Sequence, residues 1–119
     1  TDKGKTIENN ILTIPQKTLR SYAYCSDTCY LPDMVPQLKQ ITLLYHEATF
    51  DSTLIERAKA TFHSTAAQAA SIAKQAQVKQ LLLGHFSARY KNLDLLLQEA
   101  IPVFKQVQLA EEGKTYVIE

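Results

Sequence analysis

The 119-residue sequence predicts an α/β fold: a sheet with parallel pairs and crossover helices. Three observations predict it. Two apolar runs, residues 41–45 (ITLLY) and 78–83 (VKQLLL), have the length and character of buried strands. An alanine-rich stretch at 66–76, strongly helix-favouring, separates them. Polar residues able to do chemistry follow the strand ends directly, and in such sheets ligands bind beyond the carboxyl ends of the strands.

The elements follow in order. Residues 4–10 are mostly polar and close on the turn-like Asn9-Asn10. Residues 11–14 (ILTI) suggest an edge strand that Pro15 ends. Residues 21–25 (SYAYC) make a better strand, running into Ser26-Asp27-Thr28. Residues 31–39 read as a short helix or turn limited by Pro32 and Pro36. The strand at 41–45 leads into His46-Glu47-Ala48-Thr49. A helix is expected over 53–62, and a second from Ser64 or Thr65, either of which can cap it, through Ala76. The strand at 78–83 ends at Gly84-His85. Leu93, Leu96, Leu97 and Ala100 recur at helical spacing over 92–100, and Pro102 stops that helix. Short strands are expected at 103–109 and 115–118, with a turn at Glu111-Glu112-Gly113. The whole chain, 1–119, reads as one segment: an edge strand and connection (1–20), a motif-bearing core (21–90), and a terminal helix and strands (91–119).

Composition excludes several classes. Hydrophobic content of 45% and charged content of 21% are globular values. No apolar run reaches the roughly 20 residues of a membrane span. The start, Thr1-Asp2-Lys3-Gly4-Lys5, has no Met and no apolar signal-peptide region, and reads as cut from a longer chain or processed. A formal charge of +1 provides no electrostatic argument for nucleic-acid binding. Cys25 and Cys29 are too few for a disulfide framework and read as free thiols of a reducing cytoplasm. There is no phosphate-binding glycine loop, no dinucleotide fingerprint and no nucleophile elbow.

All three histidines sit in the polar signatures. Asp27 can ligate a metal with each carboxylate oxygen, or cap a turn. His85, after a strand and a glycine, can be a zinc ligand, or be satisfied by backbone carbonyls. Glu47 and His63 flank an expected helix, so the chain can fold back and bring them together. A carboxylate then fixes the imidazole tautomer and suits His63 to proton transfer; the alternatives are a surface ion pair and ordinary helix-end chemistry. His46 precedes Glu47 in an extended segment, so it should face the packing side and be structural. Arg89 can hold a phosphate bidentately or make an ion pair, and Ser87 can touch a phosphate or cap.

Together, Cys25-Ser26-Asp27-Thr28, His46-Glu47-Ala48-Thr49-Phe50, His63-Ser64-Thr65 and His85-Phe86-Ser87-Ala88-Arg89-Tyr90 resemble the C-terminal half of ribonuclease Z, the tRNA 3′-processing endonuclease of the metallo-β-lactamase superfamily. The resemblance covers about 21 to 90. It implies half of an αββα sandwich, a mixed sheet with helices on one face. It implies that Asp27 bridges two zinc ions, that His85 is a further ligand, and that Glu47 and His63 assist proton transfer to the leaving oxygen. Ser64, Thr65, Ser87 and Arg89 are further candidates for contact with the substrate. Two departures stand out: Ser26 where the family often has glycine, and Gly84 where it often has threonine.

The superfamily's His-x-His-x-Asp-His signature is not in the sequence, and Asp27 with His85 cannot hold two zincs. The expectation is therefore a C-terminal part of a cytoplasmic enzyme acting on precursor tRNA. Alone it should be inactive and nearly free of zinc. It should also dimerise or aggregate through the face that the missing N-terminal half would cover. Two alternatives are another metallo-β-lactamase-fold hydrolase, phosphodiesterase or arylsulfatase-like, and a non-catalytic accessory protein.

Overall fold

The computed structural model describes residues 20–26, 28–111 and 113–116. The edge strand expected at 11–14, Asp27 and the end of the strand expected at 115–118 lie outside the described residues. Four strands, β1 (Tyr22–Cys25), β2 (Leu43–Glu47), β3 (Gln80–Gly84) and β4 (Val107–Leu109), form one sheet in the order β1-β2-β3-β4. All three pairings are parallel. An antiparallel member of the expected mixed sheet is not among the described strands.

Three helices fill the crossovers: α1 (Ile55–Ala60), α2 (Ala66–Ala76) and α3 (Asp94–Ala100). A 3-10 segment, Pro32–Leu38, joins β1 to β2 and accommodates Pro36. The helix expected over 53–62 is shorter. Asp51 caps a 3-10 turn, Ser52–Leu54, before α1, and the chain turns at Thr61. The strand expected over 103–109 keeps only its last three residues, since residues 101–103 continue as a turn after α3.

Helix α2 begins with a capping box: Thr65 Oγ1 accepts from Gln68 N, and Gln68 Oε1 accepts from Thr65 N. Ala66, Ala69, Ala70, Ala73 and Ala76 are all fully buried, together with Ile72. With so little side chain between them, helix and sheet approach closely, and a larger residue at these sites would overpack the core. Leu44, Leu81 and Leu83 complete this layer, and Leu96 of α3 closes it. Burial pushes the Cys25 thiol up to about 11, so it stays protonated at neutral pH and is a poor nucleophile.

On the opposite face of the sheet Leu43 and Leu82 are buried, and the β1 edge is exposed. Tyr22 and Tyr24 are exposed, and the Tyr24 ring stacks on Tyr45 at 4.5 Å. Tyr45 also lies over Gly84: a Cβ there would collide with the Tyr45 hydroxyl oxygen. In this chain the tyrosine ring occupies the space that a threonine at 84 would fill. Gly84→Ala is expected to destabilise the fold by about 1–3 kcal/mol. The double variant Gly84→Ala/Tyr45→Ala should recover part of that loss in urea denaturation. Equal midpoints for Gly84→Ala and the parent chain would show that the ring swings aside at no cost.

Candidate active site

Four connections converge at the carboxyl ends of the strands: those after β1, β2 and β3, and the α1–α2 turn. Glu47, the last residue of β2, lies opposite Gly84 in register. The loop after β3 is tied back to β2 by Ala48 N to Gly84 O at 2.8 Å and Ser87 N to Thr49 O at 3.0 Å. A parallel bridge between Phe50 and Thr65 brings the α1–α2 turn alongside, and His63 N donates to Ala58 O at 2.8 Å.

Glu47 is inaccessible to solvent and gathers these connections. Oε1 accepts from Thr28 N at 2.6 Å and from His63 Nδ1 at 2.9 Å. Oε2 accepts from the Thr49 hydroxyl at 2.5 Å and from Ser64 N at 3.0 Å. Burial pushes the carboxyl pKa up, but the donors Thr49, Ser64, His63 and Thr28 outweigh it, so the net shift is downward and Glu47 is ionised. A carboxylate has about four lone-pair sites, and four donors use them here. Those bonds orient the carboxylate within the fold, and Glu47, His63 and His85 place one ligand-type atom each within 4.8 Å of one another, a group that could hold a metal ion.

The hydrogen bonds also assign tautomers. His63 faces the Glu47 carboxylate with Nδ1, which therefore carries a proton and leaves Nε2 for exchange. Thr49 gives its single hydroxyl hydrogen to Glu47, so at 3.0 Å from His85 Nδ1 it accepts. His85 thus meets Thr49 with Nδ1 as the donor. Through Thr49 one carboxylate orients both imidazoles, whose rings stack at 5.3 Å. His85 adopts φ of 60°, a conformation that costs a non-glycine residue about 1–3 kcal/mol and collects at functional sites.

Thr49→Val keeps the shape and removes the link. Affinity for zinc, measured by chelator competition in the complete protein, should fall roughly 10–100-fold, and Thr49→Ser should restore it. Unchanged affinity in the valine variant would show that the link does not orient His85.

The remaining expected residues separate. His46 is fully buried on the helix side, as the alternation of β2 requires. Its Nδ1 donates to Glu47 O at 2.8 Å, and its Nε2 has no partner among the described residues. Burial pushes its pKa down against the raising effects of that carbonyl and of the Glu47 charge, so the ring is neutral. Ser64 and Thr65 do not fit a substrate-binding role. Both are fully buried, the Ser64 hydroxyl donates to Thr28 O at 2.6 Å, and Thr65 caps α2. Ser87 Oγ accepts from Arg89 N in a local turn, and the Arg89 guanidinium is exposed over the ring of Phe50. Asp27, the expected bridging ligand, lies outside the described residues.

Sequence reasoning missed three participants. Thr28 and Thr49 stood inside quoted signatures, but only the fold reveals that both bind Glu47. Asp51, five per cent exposed, accepts from the Tyr90 hydroxyl and from Thr53. Burial raises its pKa, the Tyr90 and Thr53 bonds outweigh that, and the net shift is downward. The pair fastens the loop after β3 to the loop after β2.

No family model matches the chain. Curated relatives do. A ribonuclease Z from Phocaeicola vulgatus is 54% identical over 116 residues, covering 98% of this chain and 38% of that protein. One from Bacteroides thetaiotaomicron is 54% identical over 118 residues, covering 99% and 37%. The chain is homologous to a stretch of ribonuclease Z. It spans a little over a third of the length of these ribonuclease Z relatives. Among solved structures, human tRNase Z, short form, is 35% identical with a TM-score of 0.57, over 71% of this chain and 27% of that one. The metallo-β-lactamase fold protein YhfI from Bacillus subtilis is 29% identical with a TM-score of 0.71, over 76% and 37%. The metallo-β-lactamase fold expected from the resemblance is therefore the fold of its structural relatives.

Proposed function

We propose that this chain is the C-terminal portion of a zinc-dependent endoribonuclease that removes 3′ trailers from precursor tRNA. The observation that carries the reading is the orientation of His63 Nδ1 by a buried, ionised Glu47 at 2.9 Å. The high identity to ribonuclease Z relatives supports the substrate class. His63, protonated on both ring nitrogens beforehand, hands its Nε2 proton to the leaving ribose oxygen and is left neutral, while Glu47 holds the ring and favours the imidazolium that precedes the transfer. Thr49 fixes one nitrogen of the His85 ring, and His85, with Asp27, would hold zinc. Zinc supplies Lewis-acid stabilisation and lowers the pKa of the attacking water.

A histidine and an aspartate are too few to hold two zincs, so further ligands come from a preceding part of the protein. Zinc titration of these 119 residues alone should show no stoichiometric binding at submicromolar affinity; such binding would refute the division of ligands. An in-frame His-x-His-x-Asp-His motif upstream supports it, and its absence would favour an accessory protein. The exposed tyrosines Tyr22 and Tyr24 at the β1 edge support packing against that preceding part, and dimerisation or aggregation without it. No helix among the described residues is long and apolar enough to cross a membrane, which is compatible with a cytoplasmic enzyme.

The fold shared with YhfI is equally compatible with a second reading, another metallo-β-lactamase-fold hydrolase such as a phosphodiesterase. Cleavage of a precursor tRNA with a 3′ trailer, compared with a small chromogenic phosphodiester, separates the two. Preference for the small ester would overturn the tRNA assignment.

A further inference from the structure

Beside His63 lies a cluster that the proton-transfer pair does not use. Phe50 is held rigidly. It bridges Thr65, its carbonyl accepts from Ala66 N at 3.0 Å, and it is five per cent exposed. Its ring meets His63 edge-on, with centroids 6.2 Å apart. Two guanidinium groups attach to this one ring: Arg57 from α1 at 6.0 Å from the centroid, and Arg89 from the loop after β3 at 5.5 Å. Both residues are exposed. Among the described residues neither guanidinium has a carboxylate within ion-pair distance, and neither donates a hydrogen bond. The nearby acids are committed elsewhere, Glu47 to its four donors and Asp51 to Tyr90 and Thr53.

A guanidinium resting on an aromatic ring is positioned without using its N–H groups, and its planar fork matches a phosphate bidentately. In a chain whose formal charge is only +1, two uncompensated guanidinium groups on one buried ring next to His63 are a local feature, not part of a basic surface. We propose that Arg57 and Arg89, held by Phe50, form a clamp for a backbone phosphate of the RNA strand entering the site. Arg57 is the new member, since the sequence marked Arg89 alone. The proposal rests on the reading of this site as a ribonuclease centre, and it assigns the phosphate contact to side chains on two separate connections that only the fold brings together.

The test uses the complete protein carrying this segment, a precursor tRNA with a 3′ trailer, and fluorescence anisotropy across a salt series. Arg57→Gln and Arg89→Gln should each raise Kd and KM about 5–20-fold, within the range of a charge-assisted contact. Each should reduce the slope of log K against log salt, and the double variant should lose in total no more than about 0.7, the contribution of one phosphate on a single strand. Arg57→Lys should restore the slope but not the full affinity, because an ammonium keeps the charge and loses the fork. Wild-type slope and KM in Arg57→Gln would overturn the clamp. If the parent protein binds RNA but does not cleave it, the ribonuclease reading falls, while the salt slopes still decide whether the clamp exists.

Discussion

Replacing His63 with alanine in the complete enzyme is expected to slow phosphodiester cleavage by roughly 10²–10⁴-fold, the usual contribution of a positioned proton donor, and to leave zinc content unchanged. The geometry separates these two outcomes. His63 Nδ1 is engaged by Glu47 at 2.9 Å, so the ring is oriented from behind, and in the proposed function Nε2 meets the substrate. A metal ligand at this position would instead be lost with its zinc. Metal analysis of the purified variant beside single-turnover cleavage decides the matter, and loss of zinc would sink the proton-transfer assignment. A substrate with a leaving group that needs no proton should recover most of the lost rate.

The second large effect belongs to Glu47. Glu47→Ala leaves Thr28 N, Ser64 N, the Thr49 hydroxyl and His63 Nδ1 without their shared acceptor. Removing one member of a buried charged network costs about 3–5 kcal/mol, and here it also loosens three connections at once. Glu47→Gln preserves shape, yet its amide must turn an NH₂ toward two donors, so a loss of about 1–3 kcal/mol is expected. Urea denaturation of the variants measures both. A glutamine variant as stable as the parent would show that the carboxylate charge is not needed to hold the loops.

The pH dependence follows from the same bonds. The folded-state pKa of Glu47 lies below the ordinary glutamate value of 4.5, so the unfolded chain binds the proton first as pH falls. The stability that Glu47 contributes is therefore present above about pH 4.5 and drains away as pH drops through the lower, folded value. Glu47→Ala should flatten that acid limb of the stability curve.

Much of the architecture is legible in the sequence because it rests on local physics. Residues 41–45 and 78–83 are too apolar and too short to be anything but buried strands, and both appear, as β2 and β3. The alanines of 66–76 favour helix and tolerate close packing, and Thr65 with Gln68 marks its start. The boundaries that slipped lie where tertiary contacts compete with local preference. Asp51 turns the chain after β2 into a 3-10 segment, and Ser52 N is held by Glu99 of α3 at 2.8 Å. A sequence window cannot register a partner 47 residues away.

By itself the sequence determined the α/β class and the burial of His46 on the packing side, because two-residue and 3.6-residue periodicities set which side chains share a face; the pairing of Glu47 with His63 came from the family resemblance, not from periodicity. Only the tertiary structure decided what each polar atom does. Ser64 and Thr65 look like substrate contacts in the signature but spend their hydroxyls inside the fold. Thr49 proves to join Glu47 to His85, Gly84 to make room for Tyr45, and Arg57 to stand with Arg89 on one ring. These outcomes depend on which loops meet at the carboxyl end of a parallel sheet. Parallel strands are joined by long crossovers, so residues that touch there are far apart in the chain and share no local pattern.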